Sequence, residues 1–434
     1  MESHPSDNHA MSNDYSRTPV PESSTASGLH IALIVTGTFI AIPTFLTAAE
    51  IGGSLGLSKA VPAFLAGSLV LAILGCLTSM AGATTRYSTS MLVQFTFGRR
   101  GAHLVNLILV LTLVGWYGVT CHVFGRASDE VVRSLTGLKL PQAFHAIVGG
   151  VLMVSVAVSG FKGIDRLAFY LVPLMVLFLG YTTFKTYGDV TDWNATADYA
   201  NPDLTITTAI SAVIGLYIVG VVIQPDYSRF ARNLPHAALA LIVALGIMLP
   251  LVLILASIPS IATGEKNLID IMTALQIGLP AFLLLLLAAW SSNVIGLYSS
   301  GLSLSTVLPD VALWKHTLAA GIVGTLISLT PVETFFIPFL VTLGITIPPV
   351  ASIYIIHLFL IQSGSCDRQM LDRQPSVNAG AFVSWTGGAL LGYSSYQQYL
   401  TLTTVPGMDA ILGSTILYGT VAVLISKNRK ENPA

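Results

Sequence analysis

Hydrophobic residues run in long blocks along this chain, with only short polar segments between them. The blocks fall near residues 29–49, 61–82, 103–125, 143–160, 167–187, 206–224, 236–259, 279–302, 315–330, 334–362, 379–394 and 408–426. A helix needs about 20 mostly apolar residues to cross the hydrocarbon core of a bilayer. The pattern therefore predicts an all-α integral membrane protein of about 12 transmembrane helices, with residues 29–426 as its transmembrane domain.

The two ends of the chain differ from this pattern. Residues 1–28 are rich in Ser, Asp, Asn and Pro and predict a disordered cytoplasmic tail, and residues 427–434 predict a short second one. An even number of spans puts both ends on one side, where fourteen of the twenty Lys and Arg residues fall. By the positive-inside rule both termini are expected in the cytoplasm, with the protein in the cell (inner or plasma) membrane.

Composition and motifs exclude several classes of protein. Only 9% of the residues are charged and 53% are hydrophobic, against about 25% charged in soluble domains. The net charge of −1 provides no field that attracts nucleic acid. There is no GxxxxGKS phosphate loop for an ATP-driven pump, no polar stripe typical of a channel, and no converging residue set for an enzyme. A secondary transporter remains.

Two predicted spans contain residues that interrupt helices. They are Gly37, Pro43, Gly52 and Gly53 in the first span, and Gly215, Gly220 and Pro225 in the sixth. Breaks five spans apart are typical of inverted-repeat transporters, which bind their substrate at the midplane between broken helices. Glycine and proline also serve close packing of membrane helices, so this pattern alone leaves that alternative open.

Aromatic residues beside these breaks are candidates for stacking on a flat ring. Trp116 lies between Gly115 and Gly118 in the third span, and Tyr217 follows Gly215 in the sixth. Two aromatic faces from different helices can enclose a heterocycle, each adding about 1 kcal/mol beyond buried area. Simple apolar packing is the alternative use of both side chains.

The eighth span carries a polar trio, Ser291, Ser292 and Asn293, inside an apolar segment. Sodium favours oxygen ligands, which two hydroxyls and the carbonyls of a broken helix can supply. Asn293 can both donate and accept hydrogen bonds at the edge of a ring. The alternative is that these side chains bond to a neighbouring helix or to their own backbone.

Three ionisable residues fall in or beside predicted spans. Glu50 ends the first span, and such groups at membrane depth are costly and usually functional. His122 in the third span and His357 in the tenth are candidates for proton or substrate contacts. If Glu50 pairs with a substrate ammonium group, the protein is instead an amine or amino-acid symporter on the same fold.

Five stretches in order along the chain resemble the nucleobase:cation symporter-1 family, and within it the cytosine permeases. They are Phe95-Thr96-Phe97-Gly98, Val114-Gly115-Trp116-Tyr117-Gly118, Asp226-Tyr227-Ser228-Arg229-Phe230, Trp290-Ser291-Ser292-Asn293 with Leu297-Tyr298, and Ile347-Pro348-Pro349-Val350. The resemblance implies a LeuT-like fold of two inverted five-helix repeats plus two C-terminal helices. It also implies alternating access coupled to Na⁺ or H⁺.

The resemblance further implies roles for particular residues. Trp116 and Tyr217 match the aromatic pair around the base. The sodium ligands implied are the Ser291 and Ser292 hydroxyls and the carbonyls of Ala288, Gly37 and Ile40.

The chain departs from the cytosine permease pattern at four positions. Leu113 stands where those permeases have glutamine, Val219 replaces serine, Ala288 replaces asparagine and His357 replaces aspartate. A site that hydrogen-bonds a ring rejects analogues lacking the matching groups, so cytosine itself is in doubt as the substrate.

These observations together predict a cation symporter that imports a nucleobase or related small nitrogen heterocycle by alternating access. The expected coupling ion is Na⁺, with H⁺ as the alternative. Substrate-binding candidates are Trp116, Tyr217, Asn293, Leu113, Val219 and Glu50. The protein is expected to work as a monomer in the lipid bilayer.

Overall fold

The computed structural model describes residues 15, 18–190, 192–194, 200, 202, 204–265, 271, 274–275, 278–330, 342–362, 364, 366 and 368–431. Side chains at some further helical positions, including Ala288 and Ser291, lie outside this description. The first helices are α1 (Gly28–Phe39), α2 (Ile42–Leu55), α3 (Leu57–Thr85), α4 (Thr89–Phe97), α5 (Gly101–Thr136), α6 (Gln142–Val158), α7 (Phe161–Tyr187), α8 (Ile206–Val222) and α9 (Pro225–Ser228). The later helices are α10 (Leu234–Thr263), α11 (Gly278–Val307), α12 (Leu313–Ser328), α13 (Thr342–Ile361), α14 (Arg368–Arg373), α15 (Ala379–Tyr396) and α16 (Pro406–Glu431).

The predicted spans coincide with helices in this description. Six helices of the described residues are by themselves long and apolar enough to cross a membrane, and α1 with α2 forms a seventh, bent span. In a bilayer each backbone N–H and C=O must be satisfied within the protein, which an α-helix does within one segment. The predicted start of the tenth span, 334–341, lies outside the described residues.

The first span is broken, as its glycine and proline pattern predicts. Helix α1 ends at Phe39, α2 begins at Ile42, and the two axes meet at 67°. Ala41 between them is extended, with φ −142° and ψ 164°. Pro43 follows in the first turn of α2, where its missing N–H costs nothing. The break leaves backbone groups near the middle of the span without helical partners.

In the sixth span, the prediction of an unwound segment around Gly215 and Gly220 was wrong. Helix α8 runs unbroken through both glycines to Val222, and the short helix α9 begins at Pro225. An isolated glycine lowers helix propensity by only about 1 kcal/mol, less than exposing unpaired backbone groups inside a bilayer. The interruption therefore lies at the proline.

Close contact between helices depends on small residues. A Cβ added to Gly324 of α12 would overlap the ring of Tyr117, and one on Gly118 would stand 3.2 Å from the Gly324 carbonyl oxygen. The Tyr117 hydroxyl lies 3.1 Å from Thr325 Oγ1. Helices α5 and α12 thus meet at glycines, and Tyr117 fills the notch between them. Membrane helices commonly pack in this way.

Part of the predicted N-terminal tail is ordered, which corrects the prediction for residues 18–27. This segment, called the N-terminal strap below, contains a short 3-10 helix, Glu22–Ser24. Ala26 forms a parallel bridge with Ala231, and Val20 is buried with its N–H 3.1 Å from the Arg86 carbonyl oxygen. Although the strap is mostly polar in composition, its backbone hydrogen bonds and the buried Val20 side chain keep it packed against the rest of the protein. At the other end α16 continues to Glu431.

Candidate transport site

A cavity lies where α1 breaks, between α1, α2, α5, α8, α9, α11 and α13. Counted to its open mouth, and including the solvent space there, it encloses about 710 Å³. Its lining residues are Thr38, Phe39, Ala41, Pro43, Thr44, Leu113, Trp116, Gly215, Leu216, Tyr217, Val219, Gly220, Ile223, Tyr227, Ser292, Ile295, Gly296 and Leu343.

Five of the residues singled out from the sequence line this one cavity: Leu113 and Trp116 from α5, Tyr217 and Val219 from α8, and Ser292 from α11. They are separated by up to 179 positions in the chain. With four aromatic residues and several aliphatic side chains in its lining, the cavity suits a flat, mostly apolar molecule.

Tyr217 is held firmly at the cavity wall. Its ring meets Phe39 edge-on, with centroids 5.6 Å apart and planes at 86°. A Cβ added to Gly220 would stand 2.5 Å from Tyr217 Cζ, so the ring lies directly against that glycine. The Tyr217 hydroxyl lies 2.5 Å from Thr38 Oγ1. These contacts link α8 to the end of α1.

Two glycines leave open space at the cavity. Gly215 and Gly296 both line it, and a Cβ added to either would have no neighbouring atom within 4 Å. Glycines at helix contacts, such as Gly118, would instead meet another helix. These two positions therefore widen the cavity without serving helix packing.

The residues predicted to bind sodium lie on two neighbouring helices. Gly37 and Ile40 are buried at the end of α1, where a helix leaves its last carbonyls without intrahelical partners. Ser292 follows Ala288 by four residues on α11, which is about one helical turn, and Ser291 is the position before it. The Ala288 and Ser291 side chains lie outside the described part of the chain. Ser292 is buried and lines the cavity.

This arrangement can supply a hard cation with oxygen ligands. Helices α1 and α11 contact each other, and the hydroxyl and carbonyl oxygens on them suit Na⁺. Within the described residues, no group of three or more His, Cys, Asp or Glu side chains could hold a metal ion.

Asn293 does not lie where its predicted role requires. It is buried at 1% exposure, its Oδ1 accepts a hydrogen bond from the Thr120 hydroxyl, and its Nδ2 lies 3.1 Å from Met153 Sδ. It is not among the residues that line the cavity. On a helix the residue after Ser292 points about 100° away, so Asn293 faces α5 and α6 instead. Its amide serves helix contact.

The ionisable candidates also lie apart from this cavity. Glu50 is half-buried on α2, seven residues past Pro43, which is about 10 Å along a helix. His122 Nδ1 lies 2.8 Å from the Ser328 carbonyl oxygen, and His357 Nδ1 lies 2.7 Å from Tyr418 Oη. None of the three lines the cavity. Each histidine therefore forms a hydrogen bond to a neighbouring helix, which is a structural use of the side chain.

The structure adds cavity residues that the sequence did not single out, chiefly Thr38, Phe39 and Gly296. Thr38 and Phe39 lie just before the predicted break, so their nearness to Gly37 and Pro43 was an available signal. Gly296 lies four residues after Ser292, one helical turn on the same face. Ile295, three residues after Ser292, has the same signal, whereas the contribution of Leu343 depends on long-range packing and had none.

Comparisons with known proteins agree with this geometry. A family model described as permease for cytosine/purines, uracil, thiamine, allantoin matches residues 19–415. The cytosine permease of Escherichia coli (strain K12) is 28% identical over 425 residues, which are 97% of this chain and 97% of that protein.

Two solved structures show the same fold. One is Mhp1, a nucleobase-cation-symport-1 family transporter in a closed conformation with bromovinylhydantoin bound. It matches with a TM-score of 0.81 and 19% identity, over 95% of this chain and 96% of that one. A Na⁺-coupled sialic acid symporter in a substrate-bound outward-open state matches with a TM-score of 0.69 and 12% identity, over 96% and 92%. The LeuT-like membrane transporter fold predicted from the sequence is confirmed.

Proposed function

The chain belongs to the family of permeases for cytosine/purines, uracil, thiamine and allantoin, and we propose that it carries a nucleobase-like heterocycle with a coupled cation through the cavity at the α1 break. The protein is a transporter and not an enzyme. In this proposal Trp116 and Tyr217 contact the ring, with Leu113 and Val219 beside them.

The main support for the proposal is that one cavity combines three features. The cavity contains an aromatic residue from α5 and another from α8, it borders the break in α1, and it reaches Ser292 on α11. Binding at such a site can alter the angle between helices on either side of it. Alternating access requires that property of a substrate site.

We propose Na⁺ as the coupling ion, with H⁺ as the alternative. The Ser292 hydroxyl, the Ser291 hydroxyl and the carbonyls of Gly37, Ile40 and Ala288 are the proposed ligands. An ion held by both α1 and α11 favours the conformation in which these helices are close, and so preorganises Trp116 and Tyr217. By linkage the substrate must then raise the affinity for the ion by the same factor.

The experiment is a thermal stabilisation assay on the purified full-length protein in detergent. A ligand that binds only the folded form raises its apparent stability. Nucleobases, hydantoins, pyrimidine precursors and amines are each tested in sodium chloride and in choline chloride. We expect a flat heterocycle to stabilise the protein in sodium and much less in choline, and uptake into proteoliposomes to follow the same order.

The variant Ser292→Ala tests the ion site, with Ser300→Ala as its matched control. Ser300 is a buried serine two helical turns further along α11, and its hydroxyl donates to the Gly296 carbonyl at 2.8 Å. We expect Ser292→Ala to weaken sodium dependence by about tenfold and Ser300→Ala to leave it unchanged. Equal substrate affinity in sodium and choline for the wild-type protein would refute sodium coupling.

The amine alternative has less support from this site. Among the described residues that line the cavity there is no Asp or Glu, and an ammonium group beside them would be desolvated without a counter-charge from them. Stabilisation by amines but not by heterocycles would reverse this conclusion. We also propose a monomer with cytoplasmic termini, which size-exclusion light scattering and accessibility labelling of the chain ends would test.

A further inference from the structure

The Thr38 and Tyr217 hydroxyls form a hydrogen-bond relay whose direction follows from the distances. Thr38 Oγ1 lies 2.5 Å from the Val35 carbonyl oxygen and 2.5 Å from Tyr217 Oη. A carbonyl oxygen only accepts, so at 2.5 Å the single Thr38 proton must point toward Val35. Otherwise two lone pairs would face each other. Thr38 therefore accepts from Tyr217, which donates its only proton to it.

Tyr217 Oη is left with lone pairs alone to offer to the cavity. Its position is fixed, because the ring is wedged between Phe39 and Gly220. Burial makes an unmatched polar group at this wall costly, so a ligand in contact with Tyr217 Oη must donate to it. The relay turns a tyrosine, which ordinarily can donate or accept, into a fixed acceptor.

Two other hydroxyls of the cavity lining, those of Thr44 and Tyr227, bond within the protein. The Thr44 hydroxyl donates to the Phe39 carbonyl, and Tyr227 Oη lies 3.2 Å from Ser299 Oγ. These two hydroxyls therefore contribute little to hydrogen bonding with the polar groups of a ligand.

Much of the remaining wall is aliphatic. Leu113, Leu216, Val219, Ile223, Ile295 and Leu343 all line the cavity. Carbon substituents on a ring gain from contact with such walls, by about 0.8 kcal/mol for each buried CH₂. Polar groups on a ligand edge that faces this wall would lose their hydrogen bonds to water and gain none from the protein.

We propose that the transported compound is a flat heterocycle that donates a ring N–H to Tyr217 Oη and turns a carbon-substituted edge to the aliphatic wall. This inference rests on the proposed function and narrows its substrate class to rings with an amide-type N–H, such as 5-substituted pyrimidinediones and hydantoins. Thr38 is then a positioning residue that determines specificity, since it decides which way the tyrosine proton points.

The test uses probes that differ in one hydrogen-bond donor. Uracil, thymine and 5-benzylhydantoin are compared with their singly and fully N-methylated forms, by thermal stabilisation of the purified protein in sodium chloride. We expect one N-methylation of each ring, and full N-methylation, to weaken binding by tenfold to a hundredfold. We also expect thymine to bind about threefold to fourfold more tightly than uracil.

Four variants separate the relay from simple steric exclusion of a methyl group. Tyr217→Phe removes the acceptor, and Thr38→Val, nearly the same shape, frees the tyrosine proton to point into the cavity. Both are expected to reduce the preference for N–H over N-methyl by at least tenfold. Thr38→Ser retains the relay. Thr182→Val removes a buried hydroxyl that donates to the carbonyl three residues earlier, as that of Thr38 does, but at a residue that does not line the cavity. Both should keep the wild-type preference.

The outcomes distinguish this inference from the function on which it rests. If the wild-type protein binds none of the heterocycles in the panel, the proposed function fails and this inference with it. If the parent rings bind but Thr38→Val and Tyr217→Phe retain the wild-type preference, the transport function stands and the relay does not select the substrate. If Tyr217→Phe cannot be purified, the comparison of Thr38→Val with Thr38→Ser decides alone.

Discussion

The transport cavity and the region around Arg229 use polar residues in opposite ways. At the cavity much of the lining is aliphatic or glycine, and two glycines face open space. Around Arg229, polar groups are buried together in dense contact. The guanidinium donates to the Asp226 carbonyl at 3.2 Å, the Tyr15 carbonyl at 2.6 Å and the Tyr298 hydroxyl at 2.8 Å.

The N-terminal strap and α3 complete this second region, called the Arg229 closure below. Arg86, at the end of α3, donates to the carbonyl oxygens of Arg229, Ala231 and Arg232. Asp226 Oδ1 accepts from the Thr89 N–H at 2.8 Å. A Cβ added to Gly82 would stand 2.7 Å from Pro225 Cα, so α3 and α9 are in backbone contact.

Helix α9 joins the two regions. Tyr227 lines the cavity, while its neighbours Asp226 and Ser228 are part of the closure. The cavity can therefore open on this side only if these polar contacts separate together. Residues that line the cavity and residues that form the closure therefore lie within one helical turn of each other on α9. Substitutions in the closure should change stability, and substitutions in the cavity should change binding.

Arg229→Met is expected to give the largest effect. Arg229 is fully buried, and its removal leaves carbonyl and hydroxyl groups without a donor, at a cost of about 3 kcal/mol in the free energy of unfolding. Thermal and denaturant unfolding in detergent measure it. Arg232→Met, on an exposed side chain, is the control and should change little. A large loss of substrate affinity with unchanged stability would contradict the division between the regions.

Gly296→Ala is expected to give the next largest effect, on binding alone. The new methyl group enters open space at the cavity and displaces no protein atom. We expect affinity for the transported heterocycle to fall by about tenfold, which is about 1.4 kcal/mol. Stability should stay equal or rise, because alanine favours helix over glycine. Isothermal titration and thermal unfolding of the same preparation measure the two quantities.

The control for this substitution is Gly419→Ala. Gly419 is in α16, where an added Cβ also meets nothing within 4 Å, and it does not line the cavity. It should show the same gain in helix propensity with unchanged affinity. If Gly296→Ala destabilises the protein instead, that glycine serves packing and not the cavity.

Leu113→Gln is expected to give the smallest effect, a change in selectivity. The substitution places an amide on the cavity wall at the position where cytosine permeases have glutamine. We expect the ratio of cytosine to thymine affinity to rise severalfold, because the amide can pair with polar groups on a ring edge. Competition binding measures this ratio. A ratio that does not move would mean that the Leu113 side chain does not contact the ligand.

Several cavity residues could be named from the sequence, because aromatic and hydroxyl residues stand out in apolar spans and because the resemblance points to Leu113 and Val219. Leu113, Trp116, Tyr217, Val219 and Ser292 were each singled out by sequence or resemblance, and all five line one cavity. Asn293 failed because polarity at a buried position does not specify which face of a helix carries it. Its partners Thr120 and Met153 come from two other helices.

Three properties of this protein could be predicted from its sequence alone: it is helical, it spans a membrane, and its first span breaks near Pro43. Those properties depend on local quantities, namely the length of apolar runs and the backbone limits of proline and glycine. The three-dimensional structure was needed to see that α8 stays helical through Gly215 and Gly220 and that residues 18–27 lie against the protein. It also decided that Thr38 fixes the proton of Tyr217. Each of these depends on partners far away in the chain, and no local pattern encodes their distance.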